Sequence, residues 1–287
     1  MRPTSNYETP ALHLPGFDAV VDLVGNPARA DLVLYFNGNQ FMAVPELVQR
    51  FQAAYPFVHA VYYETLPPGL LQQQILAGGR LQIGSLELHV PADVYTAGRQ
   101  EMEDLAPQLG NPVPYAQNRL ALLVPLHNPA HIRGLADLGR SLVRVAMPNP
   151  ATEGIARLAR QALDMAGGQE LAEAVFVTKA RRGETRFTTV HHRETLQWIV
   201  DGQADVGVVW QSEAQWASRA GQAVETILLD VQSNPAGRYL VAGLRSAPHP
   251  AARDAFLTFM ESTEAKTVYA RYGFEPVGPT PDLFSGF

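Results

Sequence analysis

Short continuous apolar runs alternate along this chain with segments whose apolar positions recur at helical spacing. ADLVLYF at 30–36 is the first such run; it stops at Asn37-Gly38-Asn39 and reads as a buried strand. In the following VPELVQRFQAAY, Val44, Leu47, Val48, Phe51 and Tyr55 share one helical face until Pro56 ends it. VHAVYYE at 58–64 is the next strand, Pro67 and Pro68 open a helix stopped by Gly78-Gly79, and VPADVYTAG at 90–98 holds another strand after a polar excursion. The rhythm then repeats: strand in NRLALLVPLHNP (118–129), strand–loop–helix in LVRVAMPNPATEGIARLARQALDMAGG, strand in AVFVT (174–178), helix in TLQWIVDG (195–202), buried strand in ADVGVVW (204–210). GRYLVAGL (237–244) is a last strand, followed by two helices whose apolar face carries Phe256, Phe259, Met260, Val268, Tyr269 and Tyr272. The first thirty or so residues, broken by Pro10, Pro15, Gly16, Gly25 and Pro27, are expected to drape over the surface. This alternation predicts an α/β fold with mostly parallel sheets flanked by helices.

A chain of 287 residues is long enough for two lobes, and 46% hydrophobic against 17% charged residues is the balance of an ordinary folded protein. The net charge of −6 offers no basic field for nucleic acid or an anionic membrane, so a bound anion has to be held by local donors. The chain has no cysteine, which excludes disulfides, thiolate metal sites and a thiol nucleophile. The opening MRPTSNYETPALHLPG has no apolar signal core, which leaves a cytosolic chain and a processed one both open. No Gly-x-Ser-x-Gly elbow, Gly-rich phosphate loop ending in Lys, His-Glu-x-x-His or dinucleotide fingerprint is present, so the expectation is a protein that is not an enzyme.

Five segments in order carry a resemblance: ADLVLYFNGNQ from 30, PADVYTAGRQEMEDL (91–105), YAQNRLALLVPLHNP (115–129), DGQADVGVVWQSEA (201–214) and PAARDAFLTFMESTEAKTVYARYGF (250–274). Together they resemble the type II periplasmic solute-binding proteins of ABC transporters, and within them the molybdate/tungstate-binding group. The resemblance implies a two-lobed type II periplasmic binding fold with a ligand cleft between the lobes. Its boundaries here are residues 1–117 plus 233–287 for lobe 1 and 118–232 for lobe 2, with crossing strands near 118–125 and 237–244. It also implies an extracytoplasmic location, a membrane permease as partner, no nucleic acid, a monomer, and no required cofactor.

In such folds ligands sit past the carboxyl ends of parallel strands, at helix N-termini. The loops to inspect are therefore 37–41, 64–69, 148–154, 190–195 and 210–213. They offer Asn37, Asn39, Gln40, Glu64, Thr65, Asn149, Thr152, Glu153, His191, His192, Arg193 and Trp210 as ligand-binding candidates. Oxyanion members of the group carry a serine in each of the first two loops, and this chain has neither. Amides can donate to an anion, accept from an amine or give oxygen to a cation. A bound molybdate- or tungstate-like oxyanion, a divalent metal on His191, His192 and Glu153, and a small carboxylated organic solute all stay open. Structural roles are the alternative at each position: Asn149 or Thr152 capping a helix with Glu153 complementing its dipole, Trp210 in the core, one histidine capping the helix near Glu194. The basic cluster Lys179-Ala180-Arg181-Arg182-Gly183 is expected to be a solvated turn.

Overall fold

A computed structural model describes residues 11–12, 21–83, 85–151, 153–189 and 193–277. In chain order the first part runs β1 (Ala11–Leu12), β2 (Leu23–Val24), β3 (Leu32–Asn37), α1 (Val44–Ala54), β4 (Val61–Leu66), α2 (Pro68–Leu76), β5 (Arg80–Ile83), β6 (Leu86–His89), β7 (Val94–Ala97), α3 (Arg99–Asp104) and β8 (Val113–Asn118). Then come β9 (Leu120–Pro125), β10 (Val145–Met147), α4 (Gly154–Glu173), α5 (Lys179–Arg181), β11 (Thr185–Phe187), α6 (Glu194–Val200), β12 (Val206–Trp210), α7 (Gln211–Arg219) and β13 (Val224–Leu228). The chain closes with β14 (Gly237–Gly243), α8 (Pro250–Glu261) and α9 (Thr263–Arg271).

Two mixed sheets organise these elements, one in the order β1-β2-β4-β3-β7-β14-β8 and the other β11-β10-β12-β9-β13. The parallel ladder expected from the alternation forms the centre of the first sheet (β4-β3-β7) and one side of the second (β11-β10-β12). Antiparallel pairs complete both. The continuous apolar runs are explained by burial on both faces. Leu32, Leu34 and Phe36 of β3 enter one core with α1, α8 and α9, while Val33 and Tyr35 enter another with Leu71 and Met102. In β9, Leu120, Leu122 and Val124 meet α4, and Ala121 and Leu123 meet α6 and α7. The chain passes between sheets at Arg119, between β8 and β9, and returns through residues 229–236 between β13 and β14.

Several local expectations are corrected. AVFVT is a π-helical turn (Ala174–Thr178) continuing α4 into α5, with Val175 and Phe176 buried against α4 and its sheet. A short apolar run does not by itself distinguish a buried strand from a buried helical turn. Gly167-Gly168 kinks α4, with Gly168 at φ +71°, but the helix resumes. The strand placed at 58–64 starts at Val61, because Asp31 Oδ2 takes the His59 and Ala60 N–H groups at 2.9 Å each and ties up the backbone before it. Residues 80–83 and 86–89 pair antiparallel as β5 and β6. Lys179 is no solvated residue: it is buried, donating to the carbonyl of Val143 at 2.7 Å and to that of Arg140, with Glu184 3.5 Å away. Nor do residues 22–24 drape loosely, since β2 pairs with β4 and Asp22 and Leu23 are buried.

Candidate functional site

A cavity of about 420 Å³ opens between the two sheets. From the first-sheet side it is lined by Asn37, Gly38, Asn39, Pro67, Pro68 and Gly98–Glu101. Glu153–Ile155, Arg157, Leu158, Gln161 and Trp210 line it from the second, and Ala236–Tyr239 form the connecting floor. These segments are helix starts. A 3-10 turn begins at Gly38, α3 at Arg99 and α4 at Gly154. The first N–H groups of a helix have no acceptor within it, so such ends favour an anion. The start of α2 supplies little, because residues 67 and 68 are both proline.

The polar lining is partly spent on holding itself. Gln40, fully buried, donates to Thr96 Oγ1 at 3.1 Å and accepts from the hydroxyls of Tyr115 (2.7 Å) and Tyr269 (2.8 Å). Asn39 Nδ2 donates to Tyr239 Oη. Burial pushes the Tyr115, Tyr239 and Tyr269 phenols well above their ordinary range, so the network under the cavity stays uncharged. Asn37 differs: its side chain is buried at the tip of β3 and its Oδ1 has no hydrogen-bond partner among the described residues.

From the other side, Glu153 precedes α4 and its Oε1 accepts from the Thr188 hydroxyl and from the Asn149 N–H at 3.1 Å. Trp210 ends β12, 94% buried, with its ring 5.8 Å from that of Tyr239. Its seat exists because residue 237 is glycine: a Cβ there would lie 2.6 Å from the indole and 2.9 Å from Leu158 Cδ1. Gly237→Val is therefore expected to cost about 1–3 kcal/mol and to move the indole. Chemical denaturation and tryptophan emission measure both effects, and unchanged values for both would show the seat to be loose.

Arginines missed in the sequence reading dominate the charge. Arg99, Arg157 and Arg238 line the cavity with Glu101 and Glu153. Arg157 holds Glu101 at 3.1 Å, joining α4 to α3 across the cleft. Arg99 has Glu103 at 3.9 Å, and Arg238 has no acidic partner among the described residues. A signal for Arg99 and Glu101 was present, since they directly follow the end of a parallel strand, β7. Nothing comparable marked Arg238.

Of the candidates, Asn37, Asn39, Glu153 and Trp210 meet in the cavity. Gln40 lies beneath it as described. Glu64 is not part of the cavity lining: it is buried inside the first lobe, beside the core of Val33 and Tyr35, accepting from Tyr62 Oη at 2.9 Å and Gln74 Nε2 at 3.1 Å. Asn149 shapes the loop before α4, donating to the Thr188 carbonyl (3.0 Å) and accepting from the Ala151 N–H (3.0 Å). Thr65 and Arg193 belong to a different contact. Asp22 Oδ1 accepts from Thr65 Oγ1 at 3.2 Å and from Arg193 Nη2 at 2.9 Å, which ties α6 of the second lobe to the first. The Arg193 guanidinium also lies 5.4 Å over the Phe41 ring, whose edge contact with Trp216 of α7 (4.9 Å) crosses the same seam. Thr152, His191 and His192 lie outside the described residues, and among the described residues no three His, Asp or Glu side chains group as metal ligands.

Two lobes, each built on its own sheet and joined by crossing segments around a cleft of helix starts, define a type II solute-binding fold. A family profile for bacterial extracellular solute-binding proteins matches residues 32–275, and the chain belongs to that family. It is 28% identical to a sulfate-binding protein of Synechococcus elongatus over 58% of this chain and 50% of that one, so the match spans half of that relative's length. Among solved structures, the sulfate-binding protein of Mycobacterium tuberculosis superposes with a TM-score of 0.69 at 21% identity, covering 86% of each chain. The periplasmic molybdate-binding protein of Azotobacter vinelandii does so at 0.67 and 18%, covering 87% of this chain and 100% of that one.

Proposed function

We propose that this chain is the extracytoplasmic solute-binding component of an ABC importer and that the group it recognises is an oxyanion. The observation carrying this reading is the cleft itself, where the start of α4 and three arginine side chains line one cavity between two lobes. The described lining contains no serine, threonine, cysteine, histidine or lysine, so it offers fixed positive charge and N–H donors rather than a nucleophile with its base. The ligands that give these relatives their names, sulfate and molybdate, are of the same chemical class. Function follows from closure: a ligand touching both lobes binds the closed form better and shifts the population toward it, and the closed form is what a permease reads.

A thermal-shift panel of molybdate, tungstate, sulfate and phosphate, with zinc and calcium alongside, tests this. Oxyanions at 100 times their Kd are expected to stabilise the protein by roughly 2.7 kcal/mol. Stabilisation by the divalent cations alone, reversed by a chelator, would show the reading to be wrong.

A further inference from the structure

We propose that the oxyanion group recognised here is carried on a small organic body, so that the ligand is an organic anion rather than a free tetrahedral oxyanion; this rests on the anion-binding reading above. The first argument is volume. A five-atom oxyanion displaces on the order of 100 Å³, the share of about three waters. The cavity holds about 420 Å³, within the roughly 300–1,000 Å³ of sites for organic ligands. Closure does not remove the excess. Arg193–Asp22, Arg157–Glu101 and Phe41–Trp216 already join the lobes, so this is the volume of the joined state.

Chemistry is the second argument. Stripping a bare oxyanion of water requires donors on nearly every side, because a buried charge without partners is costly. Here the Gln40 amide donates to Thr96 and the Asn39 amide to Tyr239, and Glu101 and Glu153 bring carboxylates into the wall. Pro67, Pro68, Ile155, Leu158 and Trp210 add apolar surface that an inorganic ion cannot use. An organic anion uses both kinds of wall. Arg238, exposed and without an acidic partner among the described residues, and Arg99, exposed and held only at 3.9 Å by Glu103, meet its charged head. The proline and Leu158–Trp210 surfaces cover its body, and the Asn37 amide, whose Oδ1 has no partner among the described residues, meets a hydroxyl or a second polar group.

The test is titration calorimetry on the full chain with sulfate, molybdate and inorganic phosphate against phenyl phosphate, glycerol phosphate, benzoate and succinate. At least one organic anion is expected to bind about tenfold or more tightly than every inorganic one, the discrimination that one or two apolar contacts supply. Arg238→Gln is expected to weaken that anion about tenfold, as loss of a charged hydrogen bond does. Leu158→Asn is expected to weaken it more than it weakens inorganic phosphate. An inorganic oxyanion that binds as tightly as the best organic one overturns the proposal and leaves the anion-binding reading standing, and so do equal losses for both ligands in Leu158→Asn. If the folded protein binds no anion of either kind, both fall.

Discussion

Replacing Arg193 by alanine is expected to cost about 100-fold or more in ligand affinity while leaving each lobe folded. The partners are 171 residues apart in sequence, the Arg193 side chain is 6% exposed and that of Asp22 fully buried, and they meet at 2.9 Å across the seam between lobes. Removing one member of a buried pair leaves the other charged and desolvated, which costs about 3–5 kcal/mol. That penalty is expected to fall on the joined arrangement, since only there does Arg193 of the second lobe meet Asp22 of the first. It therefore enters the open–closed equilibrium, and 1.4 kcal/mol there is a factor of about ten in affinity. Small-angle scattering on the ligand-free variant gives a readout independent of ligand, with an increased radius of gyration expected. The double change Asp22→Leu with Arg193→Met removes both charges and is expected to recover much of the affinity, as apolar replacements of buried pairs often do. If Arg193→Ala changes neither affinity nor radius, the pair does not govern closure.

This contact also marks where reading the sequence stops. The strands at 32–37, 94–97, 120–125 and 206–210 were visible because both of their faces are buried and their apolar runs are unbroken. Helix starts gave away Asn37, Asn39, Glu153 and Trp210, since ligand loops follow parallel strand ends. Thr65 and Arg193 were found as polar residues at such ends, but their role depends on Asp22, which stands in a proline- and glycine-broken stretch with no periodic pattern. Contacts between such distant positions are set by how two lobes dock, and local propensity carries no information about that. The same limit hid Arg238, exposed on a strand that otherwise reads as core, and Lys179, whose partners are backbone carbonyls about forty residues upstream.

Glu64 leads to the second large effect, in stability rather than binding. Its carboxyl is sealed in the first lobe with two neutral donors and no cation partner among the described residues, and burial raises its pKa to about 7 from an ordinary 4.5, against the lowering effect of the Gln74 and Tyr62 hydrogen bonds. Below pH 4.5 the group is protonated folded and unfolded alike, and the fold has its full stability. Between about 4.5 and 7 the folded chain keeps a proton that the unfolded chain releases, so stability falls as pH rises and the loss is complete above 7. At about 1.36 kcal/mol per pH unit the loss is about 3 kcal/mol. Glu64→Gln preserves the acceptor used by Tyr62 and Gln74 and places an amide donor where, among the described residues, Oε2 lacks a partner, beside Gln74, whose Oε1 also lacks one there. At pH 8 the variant is expected to exceed the parent by about 3 kcal/mol in urea unfolding, with a flatter profile between pH 4.5 and 7. Parallel profiles for the two proteins would mean that Glu64 is ionised in the folded state across that range, and that its pocket admits enough water to keep it so.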